Sequence, residues 1–430
     1  MIRRFVAHQP HWRRLFLHRS TRSVVGARRY YHELSYRETG DPLERLFYQS
    51  RPDYIPEPPS DTSVDWVLVE LMAAPSNPAD LNVVEGKYPL PHGKDHKDSP
   101  LPNSQSYIID NGCKVGGAEG LGRVLEIKKN LPIETKFFKI CLDDHVVLAE
   151  SGWGTWRSHI WVPSTSLLRV PKEIMELSHN NNHWSIPQVS LISQVAGTAY
   201  RLLMDFADIQ PGDIVLQNAG TSAVSMCAAE LMRIKFPASH LISFVRRKDD
   251  SNEWPQLVEL LTRGGTTRHQ IVPEETALAA AEDKEAWRAW KAQHVPDGRV
   301  VLGLNSVHGP QTSRLFFPLL ADGSSLVTYG AMSKQSLPVP AAPLIFRDIT
   351  VRGYWHSRWM VKHRPPLDHD GVCPRQAMLN DLCHAIVENG LRLPAVSAVD
   401  LAQSSQGVQR IFHQQHDEPV KPKLVWNLQV

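Results

Sequence analysis

Residues 213–234 read DIVLQNAGTSAVSMCAAELMRI. An apolar run, Ile214–Leu216, enters a turn of small residues, and apolar residues at helical spacing leave it. Strand, small-residue turn and helix, in that order, form the phosphate crossover of a parallel α/β sheet. Free N–H groups and the macrodipole at the helix start receive an anion there, and glycines let backbone and phosphate approach. Glycine is expected near Ala223 and Ser225, and neither position has it. The stretch alone fits a plain α/β crossover as well as a dinucleotide turn.

Outward from this turn the pattern is regular. Strands are expected over 240–247, 269–272, 299–305, 325–332 and 349–355, with helices over 254–262, 276–293 and 311–320 between them. Strands alternating with helices predict a doubly wound parallel sheet, so the fold class is α/β, with a Rossmann unit over 196–355. The second strand ends in Arg246, Arg247 and Lys248. A carboxylate at that place suits the ribose hydroxyl of NAD, whereas cations suit the 2′-phosphate of NADP. A solvated basic loop is the plainer reading.

The first half is β-rich, with short strands expected over 65–74, 120–127, 144–150 and 156–163. Two polar stretches, 91–106 and 175–185, lack an apolar period and read as loops. A helix is expected over 375–390 in the C-terminal tail. The chain of 430 residues is long enough for two or three domains. A net charge of +2 gives no basic field for nucleic acid, and no apolar run is long enough to span a membrane. Five cysteines lie scattered without C-x-x-C spacing, which fits reduced, buried thiols better than a disulfide framework. Residues 1–32 hold eight arginines and no acid, and Glu33 is the first carboxylate. That composition predicts a mitochondrial transit peptide over 1–32, with processing near Arg28–Tyr31.

Several motifs together spell a family. LMAAPSNPADLNVVEGKYP (71–89), VGGAEGLGRVLEI (115–127), GWGTWRSH (152–159), TAYRLLMDFADIQPGD (198–213), VTYGAMSKQ (327–335) and PLIFRDITVRGYWHSRW (343–359) occur in order. They resemble the medium-chain dehydrogenase/reductase superfamily and, within it, the mitochondrial trans-2-enoyl thioester reductases. The resemblance covers about 60–428. It implies a GroES-like, partly open β-barrel catalytic domain built from 55–195 and 356–430, with the Rossmann domain inserted. It also implies a homodimer joined through the Rossmann sheets and no metal. The scattered cysteines agree, since zinc needs a closed set of thiolates and imidazoles.

The activity implied is NADPH-dependent reduction of trans-2-enoyl thioesters, carried on coenzyme A or acyl carrier protein, in the fatty acid synthesis of the mitochondrial matrix. By motif match the proton donor is Tyr88, whose phenol stays protonated at neutral pH. Cofactor contacts carry over to Ser222, Ala223, Val224 and Ser225 in the turn, and to Arg246, Arg247 and Lys248 at the adenosine end. They carry over also to Tyr329, Gly330, Ala331 and Met332, to Tyr354, Trp355 and His356, and to Lys423.

Four departures weigh against an intact site. The family has glycine where this chain has Ala223, Ser225 and Ala331, and a cofactor-touching asparagine where it has Val195. Added side-chain atoms in the turn are expected to crowd the pyrophosphate, unless the Ser225 hydroxyl donates to it. A second reading therefore stays open: a catalytically silent relative serving as a structural or assembly subunit of a mitochondrial complex.

Overall fold

The computed structural model describes residues 30–88, 108–109, 112–130, 140–180, 185–246, 253–263, 268–364, 373–406, 420 and 422–428. The first part holds β1 (Tyr30–Tyr36), β2 (Phe47–Pro52), β3 (Trp66–Pro75), β4 (Ile108–Ile109), β5 (Cys113–Val115), β6 (Leu121–Lys128), β7 (His145–Leu148), β8 (His159–Pro163) and β9 (Leu167–Arg169). Then follow β10 (Ile214–Gln217), β11 (His240–Val245), β12 (His269–Pro273), β13 (Val300–Asn305), β14 (Ser325–Thr328) and β15 (Thr350–Gly353). The tail adds β16 (Val396–Asp400) and β17 (Lys423–Asn427). Among the described residues these strands form three sheets.

The six-stranded sheet has the order β12-β11-β10-β13-β14-β15, and every neighbouring pair is parallel. β10 is central and buried on both faces, which is why Ile214–Leu216 reads as an unbroken apolar run. This is the doubly wound sheet expected from the alternation, and its crevice opens where β10 and β13 diverge to opposite sides.

A seven-stranded sheet, β16-β17-β3-β6-β7-β9 with β8 also paired to β3, makes the second part. The chain's tail returns here: β17 runs antiparallel to β3, with Val425 opposite Pro75. Trp66, Trp153, Trp156 and Trp426 are fully buried in its core, and the Trp156 indole N–H donates to Pro75 O (3.0 Å). The helices Gly197–Met204 and Pro374–Asn389 pack together in the core that joins the two parts.

Four expectations change. The transit-peptide boundary at 32 runs into β1: Tyr31 and His32 are buried, and Ser158 N donates to His32 O (2.9 Å). Residues 33–54 belong to the fold through the sheet β2-β1-β5-β4. The stretch 175–185 is not all loop, because Ile174 and Met175 pack into the core within a helix over Lys172–Asn180. The helix expected over 276–293 is two, Glu274–Ala280 and Lys284–His294, since Asp283 caps the second by accepting from Glu285 N (3.0 Å) and Ala286 N (2.8 Å). The 91–106 stretch lies outside the described residues. Cys113, Cys227, Cys373 and Cys383 are buried free thiols and Cys141 is a half-buried one.

Candidate active site

The helix Ala223–Lys235 begins at the C-terminal edge of β10. Ser222 is its N-cap, with Oγ accepting from Ser225 N (3.2 Å), and Met226 N donates to Ser222 O (2.9 Å). The first N–H groups of a helix have no acceptor inside it, so those of Ala223 and Val224 are the ones this turn offers an anion. The backbone before them is drawn in tightly: a Cβ on Gly220 would stand 2.7 Å from Val245 Cγ2 and 2.9 Å from Ser243 Cβ. Asn218 stitches the crevice floor. Its amide donates to Asn305 Oδ1 (2.8 Å), and its Oδ1 accepts from Ser306 N (2.8 Å) and Val307 N (3.3 Å).

Ser225 is placed differently from expectation. It is fully buried, and its hydroxyl donates to Asn218 O (3.2 Å), meets Ser222 Oγ (2.9 Å) and lies 3.4 Å from Tyr329 Oη. Its extra atoms fill the interior of the turn rather than its mouth, so the crowding argument falls on Ala223 alone. The structure brings Tyr329 to this turn, while Met332 N bonds Ser306 O (3.2 Å) and the Met332 side chain is exposed. Gly330 passes so close to Ser306 that a Cβ would lie 2.8 Å from its carbonyl oxygen. Ala331 beside it is exposed.

Arg246 stands exposed at the end of β11. Burial and neighbouring Glu275 raise the Glu274 carboxyl, and Arg246 opposes that rise, which places the guanidinium near the start of the Glu274–Ala280 helix. Arg247 and Lys248 lie outside the described residues.

Tyr354 and His356 form a relay. Ser193 O can only accept, so His356 Nε2 carries a proton and donates to it (3.0 Å), and Nδ1 receives the Tyr354 hydroxyl (2.6 Å). Burial holds this imidazole down to about 3, so it is neutral. Both ring nitrogens are thus engaged, and His356 fixes the segment Ile192–Ala196, a π turn, to the end of β15. Trp355 between them is exposed. Val195, on the π turn, is buried among apolar neighbours.

Tyr88 follows the helix Pro78–Val84, with its N–H on Asn82 O (3.1 Å). Glu85 accepts from Lys87 Nζ (2.7 Å) and stands 3.8 Å from Lys334 Nζ, so the Tyr88 turn is held beside the segment that carries Tyr329–Met332. Lys423 opens β17. Burial lowers its ammonium to about 8, against the pull of Asp80 and Glu119. Burial likewise raises Glu119 to about 8 and Asp80 to about 6. Neither carboxylate was singled out by sequence reasoning, although both lie within the quoted motifs. Among the described residues no group of three or more His, Cys, Asp or Glu side chains is placed to hold a metal.

A barrel-like antiparallel sheet joined to a parallel dinucleotide-type sheet, with the crevice between, defines a medium-chain dehydrogenase/reductase architecture. A mitochondrial enoyl-[acyl-carrier-protein] reductase of Caenorhabditis elegans is 34% identical over 304 residues, 71% of this chain and 72% of that protein. The protein so named in Homo sapiens is 30% identical over 335 residues, 78% of this chain and 74% of that one. The chain belongs to the mitochondrial enoyl-[acyl-carrier-protein] reductase family. Its fold matches the Etr1p/NADP/crotonyl-CoA complex and the mitochondrial 2-enoyl thioester reductase heterodimer Etr1p/Etr2p from Candida tropicalis. Each shows a TM-score of 0.69 at 22% identity, over 93% of this chain and 99% of that chain. No family model matches.

Proposed function

We propose that the protein is an NADPH-dependent reductase of trans-2-enoyl thioesters in mitochondrial fatty acid synthesis, located in the matrix after removal of an arginine-rich leader. Family membership supports the enoyl thioester substrate. The observation that carries the reading is the Glu85–Lys334 approach, which sets the Tyr88 turn against the 329–332 segment across the crevice. We assign the catalytic part to 55–195 and 356–430, with β1 and β2 added to it, and the cofactor part to 196–355.

The residues present fit NADPH. Gly220 and Gly330 let the turn and the 329–332 segment pack tightly against β11 and Ser306, and the N–H groups of Ala223 and Val224 head a helix toward an anion. Arg246 stands at the strand end where a 2′-phosphate is read. NADPH, when bound, supplies hydride to the β carbon of the enoyl group. Tyr88 donates a hydrogen bond toward the thioester side, where negative charge grows, and is the proton source for the α carbon. The neutral His356 takes no proton and orients Tyr354 and the π turn.

One observation favours the second reading, a silent relative kept as a structural or assembly subunit. Val195 is sealed in apolar packing where the family's asparagine touches the cofactor, so a polar contact is lost. Titrating the purified mature protein with NADPH and then NADH, followed by NADPH oxidation with crotonyl-CoA, decides between them. Binding of NADPH in clear preference to NADH, with turnover, is expected of the enzyme. A folded protein that binds neither is the silent relative.

We further propose that it is a homodimer. Among the described residues β15 is one of the two edges of the parallel sheet, and the helix Ala341–Arg347 beside it exposes Ile345 (69%) and Phe346 (79%). An apolar patch flanking an unpaired edge is suited to burial against a second copy.

A further inference from the structure

We infer that Glu119 is a positioning residue for the crevice: its carboxylate ties the π turn Ile192–Ala196 to the segment that carries Tyr88. The inference rests on the reductase reading for what the crevice serves, and on the contacts alone for the tie itself.

The tie runs in two directions. Glu119 Oε1 accepts from Gln194 N (2.7 Å), inside the π turn. A π turn closes on the fifth residue, here Ala196 N to Leu191 O (3.0 Å), and such single turns cluster at functional sites because they re-aim the residues they carry. The residue re-aimed here is Val195, next to Gln194, at the position from which the family's asparagine meets its cofactor. In the other direction Glu119 Oε2 accepts from Asn77 Nδ2 (3.3 Å). Asn77 heads the helix Pro78–Val84, where its own N–H is held by Asp80 Oδ2 (2.7 Å), and that helix delivers Tyr88.

Glu119 itself cannot swing. Its side chain is fully buried, and its carbonyl accepts the Thr155 hydroxyl (2.7 Å). A buried carboxyl is costly unless its oxygens are bonded, so a position that needed only packing would be better filled by an apolar residue. One side chain therefore sets the distance between the wall that holds the cofactor and the wall that holds the proton donor.

The test compares Glu119→Ala with Glu119→Gln in the mature protein. Amide hydrogen exchange of apo protein is read over 192–197 and 77–84, and NADPH affinity by fluorescence. We expect Glu119→Ala to speed exchange at least about tenfold in both segments while the β10–β15 sheet stays protected, and to weaken NADPH about 10- to 100-fold. Glu119→Gln keeps an acceptor for Gln194 N–H and should restore protection and most of the affinity. Unchanged exchange in Glu119→Ala overturns the inference. Should Glu119→Ala fail to fold, Glu119→Gln and Asn77→Ala decide. Asn77→Ala must loosen 77–84 and leave 192–197 protected by Glu119, and a result without that split overturns it. A parent that neither binds NADPH nor turns over crotonyl-CoA, yet shows these exchange patterns, removes the reductase reading and leaves the tie standing.

Discussion

At the scale of single residues, the crevice is a set of side chains whose polar atoms are spoken for by one another, and this decides what substitutions do. Tyr88 is half-buried at the end of its helix turn. Tyr88→Phe is expected to lower turnover about 10²- to 10⁴-fold, the range for a positioned proton donor. NADPH affinity should be nearly unchanged, and steady-state kinetics with crotonyl-CoA checks both. Ser225 behaves in the opposite way. Changing it to glycine removes its bonds to Asn218 O and Ser222 Oγ and adds backbone freedom to a helix start. Ser225→Gly should cost about 1–2 kcal/mol in a urea melt without tightening NADPH. A more stable variant would contradict the inward hydroxyl. Glu119 gives a pH signature. Its carboxyl is raised from 4.5 to about 8, so the folded state holds an extra proton between those values. The stability this contributes is complete at low pH and is lost as pH rises toward 8. Glu119→Gln lacks that proton, so its stability relative to the parent should improve with rising pH, by at most about 1.4 kcal/mol per pH unit. Denaturation at pH 5.5 and pH 7.5 reads the trend.

At the scale of elements, β1 sets where a leader can end. Tyr30–Pro52 pairing and the bond from Ser158 N to His32 O engage the strand from its first residue. The mature N-terminus should therefore lie at or before Tyr30. Mass analysis of the organellar protein would find a terminus beyond His32 only if β1 is dispensable. The strand was hidden in the sequence because arginine-rich composition outweighed the short alternation of Tyr31 to Tyr36. The parallel sheet was legible, since its central strands β10, β11 and β13 are buried apolar runs bounded by turn residues and followed by helices. The break at Asp283 was not, because a charged residue inside an alanine-rich run has good helical surroundings and its capping role depends on where the backbone turns. The site divides the same way. Tyr88, Ser222 and Tyr329 follow from motif position. Glu119 does not, because its partners Asn77 and Gln194 come from distant segments, and a carboxylate in a glycine-rich stretch reads as a turn residue. Asp80 reads as a local helix cap, because its bond to Asn77 N spans three residues and its burial is set by the fold.

At the scale of the whole molecule, the parallel sheet ends in an open edge beside exposed Ile345 and Phe346. Two copies meeting there would bury both patches. Phe346→Asp places a charge at the centre of the contact, so it should convert the dimer to a monomer in light scattering with the fold retained by circular dichroism. A parent that is already monomeric at micromolar concentration would dispose of the homodimer.

The return of the tail to the first sheet has a consequence in time. β3 is made long before β17, yet they are partners. The antiparallel sheet cannot close on a growing chain, whereas the parallel sheet, whose strands are all contiguous in sequence, can form as soon as β15 is available. The Ala73–Pro75 end of β3, which β17 covers, waits bare through that interval. A chain that stops before β17 would keep its nucleotide-type sheet and leave the Ala73–Pro75 edge unpaired and the barrel core without Leu424 and Trp426. Termination before β17 should thus leave an aggregation-prone first sheet beside a folded second one.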